Sequence, residues 1–301
     1  MPSKALQKVA NRLSSTMQLI SVIIPFYSKN SGLLIKSVRS ALNQSYTHLE
    51  VIVVDDCSPC KAEDELSSLH DPRLRVIRHA TNSNGATARN TGVEAASGSV
   101  IAFLDYDDEW YPEKLNKQLS LLNEKGLNHV IYSRCKIIEP SGRTFTRPRR
   151  AISQHERVGD YLFVACEIIQ TSGIMLSASL AQRVQFDDLK RHQDYQYCLA
   201  LEQVGATFTL LDEVVYDFVQ IPKLNDYLFS AMWLENYSSY LSDEANKGFK
   251  KIVILRTIIA HKKYIEALLY SVKNNITTSF FSIFLKKVVK GALPSVILEK
   301  L

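Results

Sequence analysis

No apolar run in the sequence approaches the ~18 residues that a bilayer crossing requires, which excludes a membrane-spanning helix from the reading. The opening stretch, MPSKALQKVANRLSSTMQLI, lacks the continuous apolar core of a secretory signal. The expected location is therefore the cytoplasm, with contact at a membrane surface still open. Cysteine is sparse. Cys57, Cys60, Cys135, Cys166 and Cys198 form an odd, scattered set, which excludes a disulfide framework and suits a reducing compartment. Cys57-Ser-Pro-Cys60 has the spacing of a redox or zinc pair, but no second Cys/His pair accompanies it, so it reads as incidental thiols in a loop. No internal repeat or low-complexity tract is present, which excludes a solenoid. A strong excess of one charge is also missing, since the net charge is only +5.

That small charge is unevenly distributed. Residues 1–16 carry Lys4, Lys8 and Arg12 with no acid, and residues 221–301 carry 12 basic against 6 acidic residues. The body between them is therefore net acidic, which argues against a nucleic-acid partner and for a catalytic body whose ends meet something anionic.

The first strong pattern is LISVIIPFY (19–27), a β-branched run that reads as a strand buried on both faces. A helical spacing over Leu33 to Leu42 and a second buried strand, EVIVVDD (50–56), complete a βαβ unit. A helix near 62–69, a strand at 74–79, a helix from Ala86 to Ala96 and a strand at 99–105 continue the alternation. This predicts an α/β fold with a doubly wound, mostly parallel sheet. Ligands bind such sheets at the carboxyl ends of their strands, which here are Pro25 to Tyr27, Asp55-Asp56 and Asp105 onward. Beyond residue 110 the pattern predicts a helix near 112–125 and strands at 129–134, 168–176 and 210–218. It also predicts a helix over 192–203 and an exposed basic loop at 142–150. After Pro222 the chain turns to Leu/Ile/Lys-rich helices, so the expected organisation is an extension at 1–16, a catalytic domain at 17–220 and a helical region at 221–301.

FLDYDDEWYPEKL (103–115) sets Asp105, Asp107 and Asp108 at the end of a buried strand. Carboxylates at i and i+2 in a turn can face one hard cation, Mg²⁺ or Mn²⁺, shared with substrate phosphates, although a solvated acidic turn would read the same way. Asp55-Asp56 ends a neighbouring strand, where an acid can accept hydrogen bonds from a base or a ribose. The intervening NSNGATARNTGVEAASG (82–98) supplies glycines and Arg89, a fixed cation suited to phosphate.

With these segments in order, the chain resembles a family 2 glycosyltransferase of GT-A fold, over about residues 18–220. VIIPFYSKN resembles that family's strand ending in P-x-Y-N, and IVVDDCSPC resembles its V-D-D-G-S segment. NGATARNTGVEAASGSVIAFLDYDDEW resembles its G-x-x-x-A-R-N-x-G run leading into F-L-D-x-D-D-x-W. The departures are Phe26 for a small residue, Ser28 for Asn and Cys57 for Gly, which alter loop shape more than charge. The resemblance implies Pro25, Tyr27, Asp55, Asp56 and Arg89 around the donor, Asp105 near its ribose, and Asp107 on a divalent metal, Mn²⁺ or Mg²⁺. It implies a catalytic base at Asp194, in a Gln193-Asp194 pair where the family commonly has Glu-Asp; Asp187 and Asp188 are the alternatives. An acid at a helix start also fits a purely structural role. Trp110 would stack on the acceptor sugar, or else anchor its loop.

The resemblance further implies a UDP-sugar donor and transfer with inversion of a hexose: glucose, galactose or their N-acetylamino forms. The implied acceptor is a sugar on polyprenyl diphosphate, in O-antigen or capsule assembly. Two other classes stay in view. A nucleotidyltransferase would open with a Gly-rich basic loop where this chain has PFYSKNSGLL, and a noncatalytic binding module would need no base at Asp194. In the tail, SFFSIFLKKVVK (279–290) gathers Phe280, Phe281, Phe284, Leu285, Val288 and Val289 on half a helical wheel. It is expected either to lie on an anionic membrane surface or to pack on the protein.

Overall fold

The computed structural model describes residues 18–221 and 226–292, the side chains of 288–292 excepted. The expected extension at 1–16 lies outside the described residues. The first strand, β1 (Ile20–Phe26), is buried at every position, as its unbroken apolar run requires. It is followed by α1 (Leu34–Leu42), β2 (Leu49–Asp55), α2 (Ala62–Glu65), β3 (Leu74–Arg78), α3 (Asn84–Ala95) and β4 (Val100–Phe103). The helix expected over 62–69 is thus a single turn. β1 lies between β2 and β4 with parallel register, Phe26 opposite Asp55 and Ile23 opposite Phe103, and β3 extends the parallel set beyond β2. Parallel pairing brings the carboxyl ends of all four strands to one edge. α3 lies close on β1 because Gly92 has no side chain: a Cβ there would stand 2.3 Å from Ile23 Cγ2.

The chain continues through β5 (Glu109–Trp110), α4 (Lys114–Lys125), β6 (His129–Ile138), β7 (Thr144–Arg147) and α5 (Val158–Phe163). Then come β8 (Met175–Ser177), α6 (Ala178–Arg183), α7 (Gln193–Gln203) and β9 (Thr207–Val219). Among the described residues these strands form one nine-stranded sheet in the order β3-β2-β1-β4-β8-β6-β9-β5, with β7 paired to β6. The sheet is mixed and mostly parallel. β6 and β9 form its longest pairing and are parallel, whereas β8 runs antiparallel to both β4 and β6.

Two segments depart from the sequence reading. The expected strand over 168–176 is a buried 3₁₀ turn, Thr171–Gly173, followed by the short β8. The expected basic loop at 142–150 folds partly into β7. Three of its four arginines are neutralised locally, Arg147 and Arg149 by the buried Glu167 and Arg150 by Glu156.

The described chain forms two compact units. One comprises the residues up to Val158 together with Glu167–Ile221, and the other comprises Gly159–Cys166 with the residues beyond Pro222. The second unit contains α8 (Tyr227–Tyr237) and α9 (Asp243–Phe249), which passes through a π-helical stretch (Lys250–Leu255) into α10 (Arg256–Ala260). It ends with α11 (Tyr264–Lys273) and α12 (Thr277–Ala292). Its core is aromatic: Trp233 stacks on Phe249 at 4.9 Å, and Phe163 meets Phe249 edge-on at 5.0 Å. No described helix is long and apolar enough to cross a membrane.

Candidate donor and catalytic site

The site grows from the ends of β1, β2 and β4. Pro25 is buried inside β1, opposite Val54, so it shapes the strand and not an open surface. Tyr27, one residue past the strand, is 41% exposed and presents its ring outward.

Asp55 and Asp56 are both buried and held by protein donors. The Oδ1 of Asp55 accepts from the Ser58 N–H at 2.7 Å. Its Oδ2 accepts from the Ala62 N–H at 2.9 Å, at the start of α2, and pairs with Arg78. Asp56 accepts from the Ser83 N–H at 2.8 Å, the Asn84 N–H at 2.7 Å and the Asn82 amide at 2.9 Å, and it meets His79 Nδ1 at 2.8 Å. The two carboxylates therefore fix the loops at 57–62 and 79–84. Asn84 adopts a left-handed conformation (φ 77°), which Asn tolerates, and its Oδ1 accepts from the Ala86 N–H at 2.8 Å to open α3. Its amide donates to Asp188, which joins this loop to the segment preceding α7.

Arg89 projects from α3 and is 7% exposed. One guanidinium nitrogen donates to Gln193 Oε1 at 2.7 Å, and the other pairs with Asp105 just past β4. The same guanidinium lies 5.4 Å from the centre of the Phe186 ring, and its Nε is buried without a hydrogen-bond partner. Gly85 makes room for the bridge, since a Cβ there would stand 3.3 Å from the guanidinium and 3.4 Å from Gln193 Oε1. One cation thus ties the acidic strand end to the first residue of α7.

Asp194 is the second residue of that helix. It keeps some solvent contact, yet its carboxyl is packed round by protein atoms, and this enclosure pushes its pKa up to about 6. A backbone hydrogen bond from Tyr195 and the charge of Arg89 act in the opposite direction. A carboxylate poised near 6 is suited to accept a proton at neutral pH. Asp187 and Asp188 lie exposed before the helix and have no comparable enclosure. His192, left-handed at φ 61° and stacked on Tyr195 at 5.3 Å, is pushed down to about 4 by burial, so it stays neutral.

In the acidic turn, Asp105 donates its N–H to Ser172 Oγ at 2.9 Å, and the Ser172 hydroxyl donates in turn to Asp108. Asp108 is buried and its other oxygen has no hydrogen-bond partner. Desolvation, followed by the charges of Asp105 and Asp107, holds its carboxyl well above the ordinary range. The charge of Asp107 also raises the Tyr106 phenol, whose main upward push is burial. Among the described residues no three His, Cys, Asp or Glu side chains converge as a complete metal cage. A cation that arrives with a diphosphate would need only one or two carboxylates, such as those of this turn, because phosphate oxygens and water complete its shell.

The expectation that Trp110 faces a sugar is corrected. Its ring is 3% exposed, its indole N–H donates to the Ser172 carbonyl at 2.9 Å, and the buried Lys114 ammonium sits 3.7 Å over its face. Lys114 also donates to Gln118 at 2.6 Å, and the Gln118 amide donates to the Gly173 carbonyl at 2.6 Å. Trp110, Lys114 and Gln118 are thus a brace that seats the Thr171–Gly173 turn against the acidic loop. The sequence reading passes over Ser172 because its segment reads as a strand. It passes over Asn84 although Asn before Gly is a recognisable turn signal.

A mostly parallel α/β sheet whose strand ends carry an acidic D-x-D-D turn, an arginine bridge and an enclosed carboxylate at a helix start defines a transferase of GT-A fold. The chain belongs to glycosyl transferase family 2, whose model matches residues 21–184, and it is a glycosyltransferase. It is 31% identical over 238 residues to the amylovoran biosynthesis glycosyltransferase AmsB of Erwinia amylovora, covering 74% of this chain and 78% of that one. It is 33% identical over 120 residues to the UDP-Glc:alpha-D-GlcNAc-diphosphoundecaprenol beta-1,3-glucosyltransferase WfgD of Escherichia coli, covering 40% of this chain and 47% of that one. The crystal structure of S. aureus TarS 1-349 in complex with UDP-GlcNAc has the same fold, with TM-score 0.57 at 18% identity over 90% of this chain and 92% of that one. Against the longer TarS chain, this chain spans 49% of its length.

Proposed function

We propose that the chain is a metal-dependent, inverting transferase that moves a hexose from a UDP-sugar to a sugar carried on polyprenyl diphosphate. The hexose would be glucose, galactose or an N-acetylamino form, and the pathway surface polysaccharide assembly of the O-antigen or capsule type. The observation that carries this reading is the Arg89 bridge, which joins Asp105 at the acidic turn to Gln193 beside the enclosed carboxylate of Asp194. The TarS structure with UDP-GlcNAc supports UDP as the nucleotide, and the names of WfgD and AmsB support a lipid-diphosphate acceptor and a polysaccharide product.

In this reaction Asp194 takes the proton of the acceptor hydroxyl. That oxygen bonds to the anomeric carbon as the bond from carbon to the diphosphate oxygen breaks, and the electron pair leaves with UDP. One displacement inverts the centre, so an α-linked UDP-hexose gives a β linkage. Asp107, beside Asp105, would hold Mn²⁺ or Mg²⁺, whose chemistry there is neutralisation of charge on the departing diphosphate. Arg89 fixes Asp105 and the start of α7 in one geometry. Tyr27 offers its open ring to the base, and Asp55 and Asp56 serve the nucleoside through the loops they hold. A lipid-linked acceptor brings the work to the cytoplasmic face of a membrane.

The test is release of UDP from a panel of UDP-hexoses with Mn²⁺ and a GlcNAc-diphosphate-lipid acceptor. One donor should turn over in an acceptor-dependent way, and Asp107→Ala should lose metal-dependent UDP binding in calorimetric titration. Equal Mn²⁺-dependent binding by the variant and the parent would remove the metal assignment.

A further inference from the structure

In α11 the usual economy of a surface helix is reversed. The small residues Ala267 and Ser271 are fully buried, at i and i+4, where the helix packs on α10 and α12. Large aliphatic residues occupy another face: Ile265 is 79% exposed, Leu268 36%, Leu269 64% and Val272 57%. Their spacing of i, i+3, i+4 and i+7 makes them one continuous stripe. An open cleft of about 780 Å³ runs along this helix, lined by Lys262, Lys263, Ile265, Glu266, Leu269 and Lys273 among others. Lys263 bonds to Tyr227 and pairs with Glu266 at 3.3 Å. Lys262 and Lys273 have no ion-pair partner among the described residues.

α12 behaves differently from its sequence expectation. Phe280 is buried and stacks with Phe284 at 5.6 Å, and Phe284 meets Tyr264 edge-on at 5.1 Å. Two of the four described side chains of that expected face, Phe280 and Phe284, are therefore spent on packing, and the other two, Phe281 and Leu285, stay exposed, at 58% and 62%. Val288 and Val289, the rest of that expected face, have no described side chains.

We propose that the α11 stripe with its bordering lysines is the surface by which the protein lies on an anionic lipid bilayer. Charge complementarity selects this occupant. An exposed aliphatic stripe at the edge of lysines matches the acyl boundary and the anionic headgroups of an interface, and a polar solvent leaves it unpaired. The proposal deepens the reading of a lipid-linked acceptor and rests on it. It places the anchor on α11, a segment that the sequence pattern did not single out, and not on the aromatic half of α12.

Vesicle sedimentation of the full chain tests this without any sugar nucleotide. Vesicles of equal parts phosphatidylglycerol and phosphatidylcholine should bind the protein, and pure phosphatidylcholine vesicles should bind it much less. Ile265→Gln with Leu269→Gln should reduce binding about tenfold or more, and Lys262→Gln or Lys273→Gln about fivefold each. Circular dichroism and the thermal midpoint should stay at parent values, since the changed side chains already face solvent. UDP release measured in the absence of lipid should also stay unchanged, which separates a failed anchor from a failed donor site. Absence of binding by the parent chain, or equal binding by the aliphatic double variant, would overturn the proposal. So would a concentration-dependent dimer of the parent that the double variant makes monomeric, because a second copy would then own the stripe.

Discussion

Arg89 has one guanidinium and two partners. Its fork reaches Asp105 and Gln193 at once, a geometry that a lysine ammonium on a flexible stem cannot reproduce. Arg89→Lys should keep the charge yet lower kcat by about 10²-fold, the scale of lost electrostatic organisation, with a smaller change in KM. Steady-state kinetics on the donor would check it, and a change confined to KM would assign Arg89 to simple donor binding. Asp194 makes a second, thermodynamic commitment. Its carboxyl is raised from an ordinary 3.8 to about 6 by enclosure, so the folded state holds the proton more tightly than the unfolded one. Stability then falls as pH rises from about 4 to about 6 and stays reduced above that. Asp194→Asn removes the charge that must be buried. Its thermal midpoint should exceed the parent's at pH 7, and the difference should shrink toward zero near pH 4. A variant no more stable than the parent at pH 7 would mean that the carboxyl is not strained. Stability surrendered at a working residue is a common signature of function.

Among elements, α3 controls where Arg89 points, because it rests on β1 through the missing side chain of Gly92. Gly92→Ala would force a methyl to within 2.3 Å of Ile23 Cγ2 and should cost about 1–3 kcal/mol by overpacking. Urea unfolding should show a lower midpoint at unchanged slope. An unaltered midpoint would mean that the helix seats less closely. The strands and helices of the first half were legible because long β-branched runs and helical spacings are unambiguous, and β1, β2 and β4 stand where their residues predicted. The strand ends that carry Asp56, Asp105 and Asp107 followed from the same rule. The turn at Thr171–Gly173 was not legible. IIQTSGIML is apolar at both ends, and only tertiary bonds to Asp105, Trp110 and Gln118 show that its centre turns. Of the two roles open to Trp110, the structure supports the loop anchor; the choice was not legible because only the fold shows Ser172 and Lys114 closing over its ring.

At the scale of the whole molecule, the acidic middle and basic ends become chemistry. The acidic body contains the strand-end carboxylates, and the last 81 residues contribute the lysines beside the α11 stripe. Residues 159–166 belong with the second unit although they lie within the span of the first, so the chain order alone hid that grouping. The central claim is that Asp194 removes the acceptor's proton in a single displacement. The pH dependence of turnover at saturating UDP-sugar, Mn²⁺ and lipid-diphosphate acceptor tests it most directly, comparing the parent with Asp194→Asn. The parent should lose activity as pH falls through about 6, and Asp194→Asn should run at least about 10²-fold slower with that acid limb abolished. Near-parent turnover by Asp194→Asn, with the same acid limb intact, would contradict the account and move the base elsewhere.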